Sequence, residues 1–276
     1  MKPVSFDYQR PETLERAVSL LADANGEARP LAGGQTLGPM LNLRLVMPVL
    51  LVDIGRLPAL RRIEDRGDRL ILGAGVTHAT IEDRADSSPL GKLLSHVAGT
   101  IAYRAIRNRG TIGGSLSHAD PAADWITAMT LLGADVIIAS AKGKQRIAMA
   151  SFMRGAFATT TAPGELLEAI EIPKLSSGAR WGYYKVCRKT GEFPDAIGAA
   201  LFDPDRGMSR VIAGALDGAP MALPSLAEQI ARESVGAASA ERVGAAVAEA
   251  APHLDPVDHQ LHAAAVRRAI LQAYAR

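Results

Sequence analysis

Apolar positions along this chain alternate between helical and strand periods, and the switches mark out its elements. Leu14, Ala17, Val18 and Leu21 recur at helical spacing with acids in the opening turn, so residues 11–21 read as an amphipathic helix. A short strand over 28–31 feeds a glycine loop, and a stronger strand over 49–53 stops at Gly55. Residues 69–75 read as a strand followed by a helix from near Thr77, and 90–106 as mostly helix with Leu93, Leu94, Val97 and Ile101 on one side. A second glycine loop follows, then a helix over 124–132, a buried strand over 135–139 and a strand over 164–171 that ends at Pro173. Past the small, polar linker 175–178 the order changes to three strands, 180–188, 196–202 and 209–215, and an alanine-rich helical tail. The pattern predicts a mixed α+β body to about residue 173 and a smaller strands-then-helices domain after it.

At 276 residues the chain can bury a sizeable core, and its 48% hydrophobic and 22% charged content is that of an ordinary globular protein. A formal charge of +2, with no dense basic tract, gives no reason to expect nucleic-acid binding. The single Cys187 excludes an intrachain disulfide and any all-cysteine zinc or iron–sulfur site within this chain. The start lacks a signal-peptide core and the apolar runs are too short to span a membrane, so a cytoplasmic enzyme subunit is expected.

The chemistry concentrates in the two glycine segments. Arg107-Asn108-Arg109-Gly110-Thr111-Ile112-Gly113-Gly114-Ser115 puts two arginines, hydroxyls and a glycine pair close together, and Ala32-Gly33-Gly34-Gln35-Thr36 has the same character. A glycine pair admits a ligand close to the backbone, and successive N–H groups form a concavity for anionic oxygens. Two such loops suggest a ligand with a diphosphate in its middle, whereas one alone would read as a tight turn. A Rossmann site fits poorly: Asp53 lies at a strand end roughly twenty residues on, but the glycines run Gly33-Gly34-x-x-x-Gly38 and Pro39 occupies the close-contact position. No Gly-Lys-Ser/Thr follows, which excludes a P-loop.

These segments, with Val52-Asp53-Ile54 and His118-Ala119-Asp120-Pro121-Ala122-Ala123-Asp124, resemble the FAD-binding medium subunit of molybdenum hydroxylases, the xanthine dehydrogenase and carbon monoxide dehydrogenase family. The resemblance continues through Ile170-Glu171-Ile172-Pro173, Lys185 and Gly191-Glu192-Phe193 and so covers nearly the whole chain. It implies an α+β fold: a two-subdomain FAD-binding module of the vanillyl-alcohol-oxidase (PCMH-like) type, over 1–55 and 56–173, and a small C-terminal α+β domain, 178–276, with a three-stranded antiparallel sheet. Carried over by position, Ala32, Gly33, Gly34, Gln35 and Thr36, with Leu37 beside them, cradle the FAD diphosphate from one side. Thr111, Gly113, Gly114 and Ser115 do so from the other. Asp124 belongs on the adenosine side at a ribose hydroxyl, Ile101 forms an apolar wall, and Leu167 and Lys185 lie near the rest of the cofactor, Lys185 towards the flavin ring. Many relatives carry histidine at the place of Gln35 and serine at that of Thr36, and an acid is frequent near Tyr103.

The resemblance also implies partners: a large subunit with molybdenum on molybdopterin cytosine dinucleotide, and a small subunit with two [2Fe–2S] clusters. They assemble as a dimer of heterotrimers that delivers electrons to an external acceptor, and this chain needs no catalytic acid, base or metal of its own. N-heteroaromatic compounds, carbon monoxide and aldehydes all remain open as substrates of the assembly. Two other readings keep the fold: a non-catalytic scaffold, which has no need of two glycine loops, and a free-standing FAD oxidase, for which the short C-terminal region leaves little space. His118, Asp120 and Asp124 read more simply as helix caps than as metal ligands. Cys187 and the methionines read as packing, Arg188 and Lys189 as solvated turn residues, and Tyr183, Tyr184 and Phe193 either as core or as a cover for the flavin.

Overall fold

A computed structural model of the protein describes residues 2–275. At the N-terminus, Leu50–Asp53 is the centre of a three-stranded parallel sheet, flanked by Asp7–Gln9 and Ala28–Leu31. The helix Leu14–Asp23 covers it. Thr13 caps that helix by accepting from the Arg16 N–H at 3.2 Å, and the Leu14, Ala17, Val18 and Leu21 stripe packs on Val52, Ile54, Leu57 and Leu60.

A five-stranded antiparallel sheet follows, in the order Ile63–Asp65, Arg69–Gly73, Leu166–Pro173, Asp135–Ser140, Gly143–Ala148. Its inner three strands are the apolar ones expected. The edge strands carry no periodic signal because they are short or polar, and Lys144 and Arg146 on the outer edge discourage pairing with another chain. Helices Pro89–Gly99, Ile112–His118 and Asp124–Leu132 bury Leu93, Val97, Leu116, Trp125 and Met129 against Leu70, Leu72, Ile138 and Ile170 of this sheet. The stretch expected as helix over 90–106 breaks after Gly99, because Ala102 turns left-handed (φ 43°), and resumes as the short helix Arg104–Arg107.

The C-terminal sheet has four strands rather than three: Arg180–Val186, Ala196–Asp203, Met208–Gly214 and Met221–Ala222, all antiparallel. The fourth is two residues after Pro220 and leaves no periodic signal. Ala196–Asp203 is buried along its whole length because both faces are covered. Ile197, Ala199 and Leu201 join the core of the five-stranded sheet, while Ala200 and Phe202 face the helices Pro224–Glu233, Ala240–Ala250 and Pro256–Ala275. A Cβ at Gly182 or Gly198 would stand 1.9 or 2.2 Å from the Ala269 or Ala265 carbonyl oxygen, so the last helix rests directly on these strands. The linker is pinned as well: Ser176 donates from N and Oγ to the buried Asp203 carboxylate at 2.9 and 2.6 Å.

Candidate functional site

The two glycine segments meet. A Cβ on Gly33 would stand 2.0 Å from the Arg109 carbonyl oxygen, and Arg109 Nε donates to the Gly33 carbonyl at 3.3 Å. Only glycine permits this backbone-on-backbone approach. Gly34 (φ 74°) then turns the chain towards the helix Leu37–Asn42. The N–H groups of Gly33, Gly34, Gln35 and Thr36 donate to no acceptor among the described residues, although the chain around them is ordered by bonds such as Gly38 N–H to Gly34 O at 3.0 Å. Asp53, the acid a Rossmann reading needs, is occupied: its Oδ1 accepts from Gly55 N–H and its Oδ2 from the Tyr8 hydroxyl.

The second segment differs from expectation, because Ile112–His118 is a helix rather than a loop. Thr111 is its N-cap and accepts from the Gly114 N–H at 3.1 Å. The Ile112 and Gly113 N–H groups donate to Val76 and Ala74 carbonyls. Gly113 is small because a Cβ there would meet the Ala74 Cβ at 2.3 Å. These amides are therefore taken by the protein, and the segment presents the exposed Gly114 and the unpartnered Ser115 hydroxyl towards the outside.

Of the segment's two arginines, Arg109 reaches the Gly33 carbonyl and makes no ion pair among the described residues, whereas Arg107 is taken by an acid. Arg107 grips Glu82 with two bonds of 2.8 and 3.0 Å and donates from Nη1 to the Ile101 and Ala102 carbonyls, both at 3.0 Å. Arg104 binds Glu82 and Asp83. This cluster holds the left-handed turn at Ala102 against Gly191, with Ile101 bridged to Gly191 in parallel register.

Asp124 and Lys185, 61 residues apart, form a buried ion pair: Lys185 Nζ lies 2.9 Å from Asp124 Oδ2, with the groups 9% and 7% exposed. Lys185 also donates to the Thr100 carbonyl at 3.3 Å, and Tyr183 donates its hydroxyl to Asp124 Oδ1 at 3.0 Å. Burial and the neighbouring carboxylate push the Tyr183 phenol well above its ordinary pKa, so it stays a neutral donor. Sequence spacing could not reveal this triad. It also removes Tyr183 from the candidate flavin covers, whereas Phe193 is exposed. Leu167 stands apart, 3% exposed and packed in the core. Asp120 closes its own turn through Ala122 N–H, and His118 packs on Phe157. No cluster of three His, Cys, Asp or Glu side chains suited to a metal occurs among the described residues.

A cavity of about 280 Å³ lies on the outer face of the five-stranded sheet, between Arg62, Lys144, Arg146, Glu168 and Glu171. Its cations are ion-paired, Arg62 and Lys144 with Glu168, Arg146 with Glu171 and Arg66 with Glu64, so each already has an acid beside it.

Behind the site, His78 is 5% exposed and accepts at Nδ1 from Trp125 Nε1–H at 3.0 Å. Burial, with a smaller contribution from Arg107, pushes its pKa down to about 4. The neutral ring is favoured in the folded state, so its contribution is complete above pH 6.5 and is lost as pH falls towards 4, about 3 kcal/mol over that window. His78→Asn keeps an acceptor for Trp125 but does not titrate. Unfolding measured from pH 4 to 7 should show a shallower loss of stability in this variant, and an unchanged slope would exclude His78 as its source.

The family described as the FAD binding domain in molybdopterin dehydrogenase matches residues 4–175. The chain belongs to it. Among curated members of this family, the chain is similar to the 6-hydroxypseudooxynicotine dehydrogenase complex subunit alpha of Paenarthrobacter nicotinovorans, with 37% identity over 98% of this chain and 91% of the relative. It is 31% identical to the nicotine 6-hydroxylase medium subunit of the same organism, over the full length of both. Among solved structures, quinoline 2-oxidoreductase from Pseudomonas putida 86 superposes with a TM-score of 0.89 at 30% identity, covering 100% of this chain and 99% of that one. The chain is thus a flavoprotein-type medium subunit of the molybdenum hydroxylases. No helix among the described residues is long and apolar enough to cross a membrane.

Proposed function

We propose that this chain is the electron-transfer subunit of a cytoplasmic heterotrimeric molybdenum hydroxylase, assembled as a dimer of heterotrimers. It takes electrons from the [2Fe–2S] clusters of a small partner and passes them to an external acceptor. A large partner with molybdopterin cytosine dinucleotide hydroxylates a small N-heteroaromatic substrate. The nicotine and quinoline named for similar proteins favour that substrate class. Residues 1–55 and 56–173 form the two halves of the cofactor module and 178–276 the accessory domain.

The observation that carries the reading is the run of four unpartnered amides at Gly33–Thr36, pressed against the second glycine segment. They donate to diphosphate oxygens from one side. Gly114 leaves room on the other, where the Ser115 hydroxyl donates. Each Asp124 oxygen keeps a lone pair beyond its bond to Tyr183 or Lys185, which suits a ribose hydroxyl. Asp124 and Lys185 form one buried ion pair, so they serve the same stretch of the dinucleotide, with Ile101 as an apolar wall and the main chain near Leu167 beside it. When bound, FAD supplies the exchange between one- and two-electron carriers.

The test is the absorbance spectrum of the purified chain, with identification of the released cofactor. FAD at one per chain is expected. Ser115→Ala, which removes the free hydroxyl without adding bulk, should lower FAD affinity about tenfold while melting within a few degrees of the wild type, whereas Gly114→Val brings a Cβ to 2.9 Å from the Thr111 cap oxygen and should lower both. A colourless chain in an active, flavin-free complex would reduce it to a scaffold, and substrate turnover by the chain alone would make it an oxidase.

A further inference from the structure

Resting on the proposed function, we infer that Arg109 is a positioning residue for the dinucleotide, holding the Gly33–Gly34 peptide so that its N–H faces the diphosphate. A trans peptide points its carbonyl and its N–H in opposite directions, so whatever binds the carbonyl also aims the amide. The described residues contain no cis peptide. Arg109 Nε donates to the Gly33 carbonyl at 3.3 Å across 76 residues, and that carbonyl has no other donor among the described residues. On the far side of the same peptide, the Gly34 N–H is one of the four unpartnered amides.

The next amide is aimed without any side chain. Gly34 O accepts from Gly38 N–H at 3.0 Å, which fixes the Gly34–Gln35 peptide and with it the Gln35 N–H. The Gly33–Gly34 peptide has no such main-chain partner. It also lies between two glycines, and Gly34 already sits at φ 74°. Without a Cβ on either side, such a peptide turns over at little steric cost. A turned peptide would set a carbonyl oxygen against the diphosphate in place of an N–H, and the concavity for anionic oxygens would be lost.

Arg109 is suited to the task by its place and its freedom. Its own carbonyl rests against Gly33, where a Cβ would stand 2.0 Å away, so the side chain starts beside the peptide it holds. It makes no ion pair among the described residues, whereas Arg107 is gripped by Glu82 and Asn108 accepts from Arg104 at 3.0 Å. Asp53, at the end of the neighbouring strand, spends its oxygens on the Gly55 N–H and the Tyr8 hydroxyl. A cation on the Gly33 carbonyl polarises the peptide and makes the Gly34 N–H a stronger donor.

Arg109→Met keeps the length of the side chain but removes its donor and its charge, and Arg109→Lys keeps both. Each full-length chain, stripped of flavin, is titrated with FAD and melted. Arg109→Met should bind FAD about tenfold more weakly while melting within a few degrees of the wild type. Arg109→Lys should recover most of that loss. The Gly34 amide signal in nuclear magnetic resonance of the flavin-free chain reads the peptide itself. It should be single and sharp in the wild type and in Arg109→Lys, and broadened or doubled in Arg109→Met as the peptide exchanges between two orientations. Lys92→Met, which removes an exposed cation from the helix Pro89–Gly99, should leave affinity, melting and the Gly34 signal unchanged. Unchanged FAD affinity in Arg109→Met would overturn the assignment. So would a weakened Arg109→Met whose Gly34 signal stays single, or whose affinity falls only in step with its melting temperature, since either makes Arg109 an ordinary cross-link. A wild-type chain that takes up no flavin counts against the proposed function, whereas a flavin-loaded wild type indifferent to Arg109 counts against this assignment alone.

Discussion

Asp124→Ala is expected to destabilise the protein by about 3–5 kcal/mol, because it leaves the Lys185 ammonium buried without its counter-ion. The cost is this large because both groups are more than nine-tenths buried and the Thr100 carbonyl is the other recorded partner of Lys185. Tyr183 loses its carboxylate acceptor in the same step. Asp124→Asn should be nearly as costly, since an amide still accepts from Tyr183 but carries no charge. Asp124→Leu combined with Lys185→Met should recover most of the stability, as a well-packed apolar pair replaces a buried ion pair at little cost. FAD affinity should not recover with it. Denaturant unfolding and flavin binding on the three variants separate the two roles. If the double variant binds FAD like the wild type, Asp124 is structural only.

Gly33→Val should have an effect of comparable size for a different reason. Its Cβ would stand 2.0 Å from the Arg109 carbonyl oxygen and 2.9 Å from the Gly110 Cα, and both neighbours are backbone that no rotamer change can move. Separating the two segments should cost about 3 kcal/mol or more by overpacking. It should also abolish FAD binding, because the free amides of Gly33–Thr36 would no longer face the second segment. Gly38→Val is the matched control: a Cβ there meets nothing within 4 Å. Loss of flavin in the first variant and retention in the second would be read directly from absorbance. Retention in both would show that the apposition is not needed for the cofactor.

Much of this architecture was legible in the residue pattern. The helices at Leu14–Asp23 and Asp124–Leu132 and the strands at Leu50–Asp53, Asp135–Ser140 and Ala196–Asp203 follow from period and β-branching. Membership of the family was legible too, because the glycine motifs are long. What failed to show were features that depend on tertiary context. Gly143–Ala148 is polar and becomes a strand only because Asp135–Ser140 pairs with it. Ile112–His118 looked like a loop because of its two glycines, yet one of them is required for contact with Ala74. Of the two arginines of the second motif, Arg109 keeps the free charge its sequence suggests, but Arg107 is taken by Glu82 of the helix His78–Glu82, which spacing does not reveal. Asp124 was legible as a site residue, while its pairing with Lys185, and hence the shared end of the cofactor they serve, needed the fold.

The strand order of the five-stranded sheet sets the timing of its assembly. Leu166–Pro173 sits at the centre, between Arg69–Gly73 and Asp135–Ser140, yet it is the last of the five to be synthesised. Until it emerges, two apolar strand edges stay unpaired and the helix Ile112–His118 has only half a sheet to rest on. Such long-range closure is slow and exposes aggregation-prone edges meanwhile. During synthesis, then, the dinucleotide cradle is completed late, and any earlier stop leaves a chain with its glycine motifs made but no wall to hold them together.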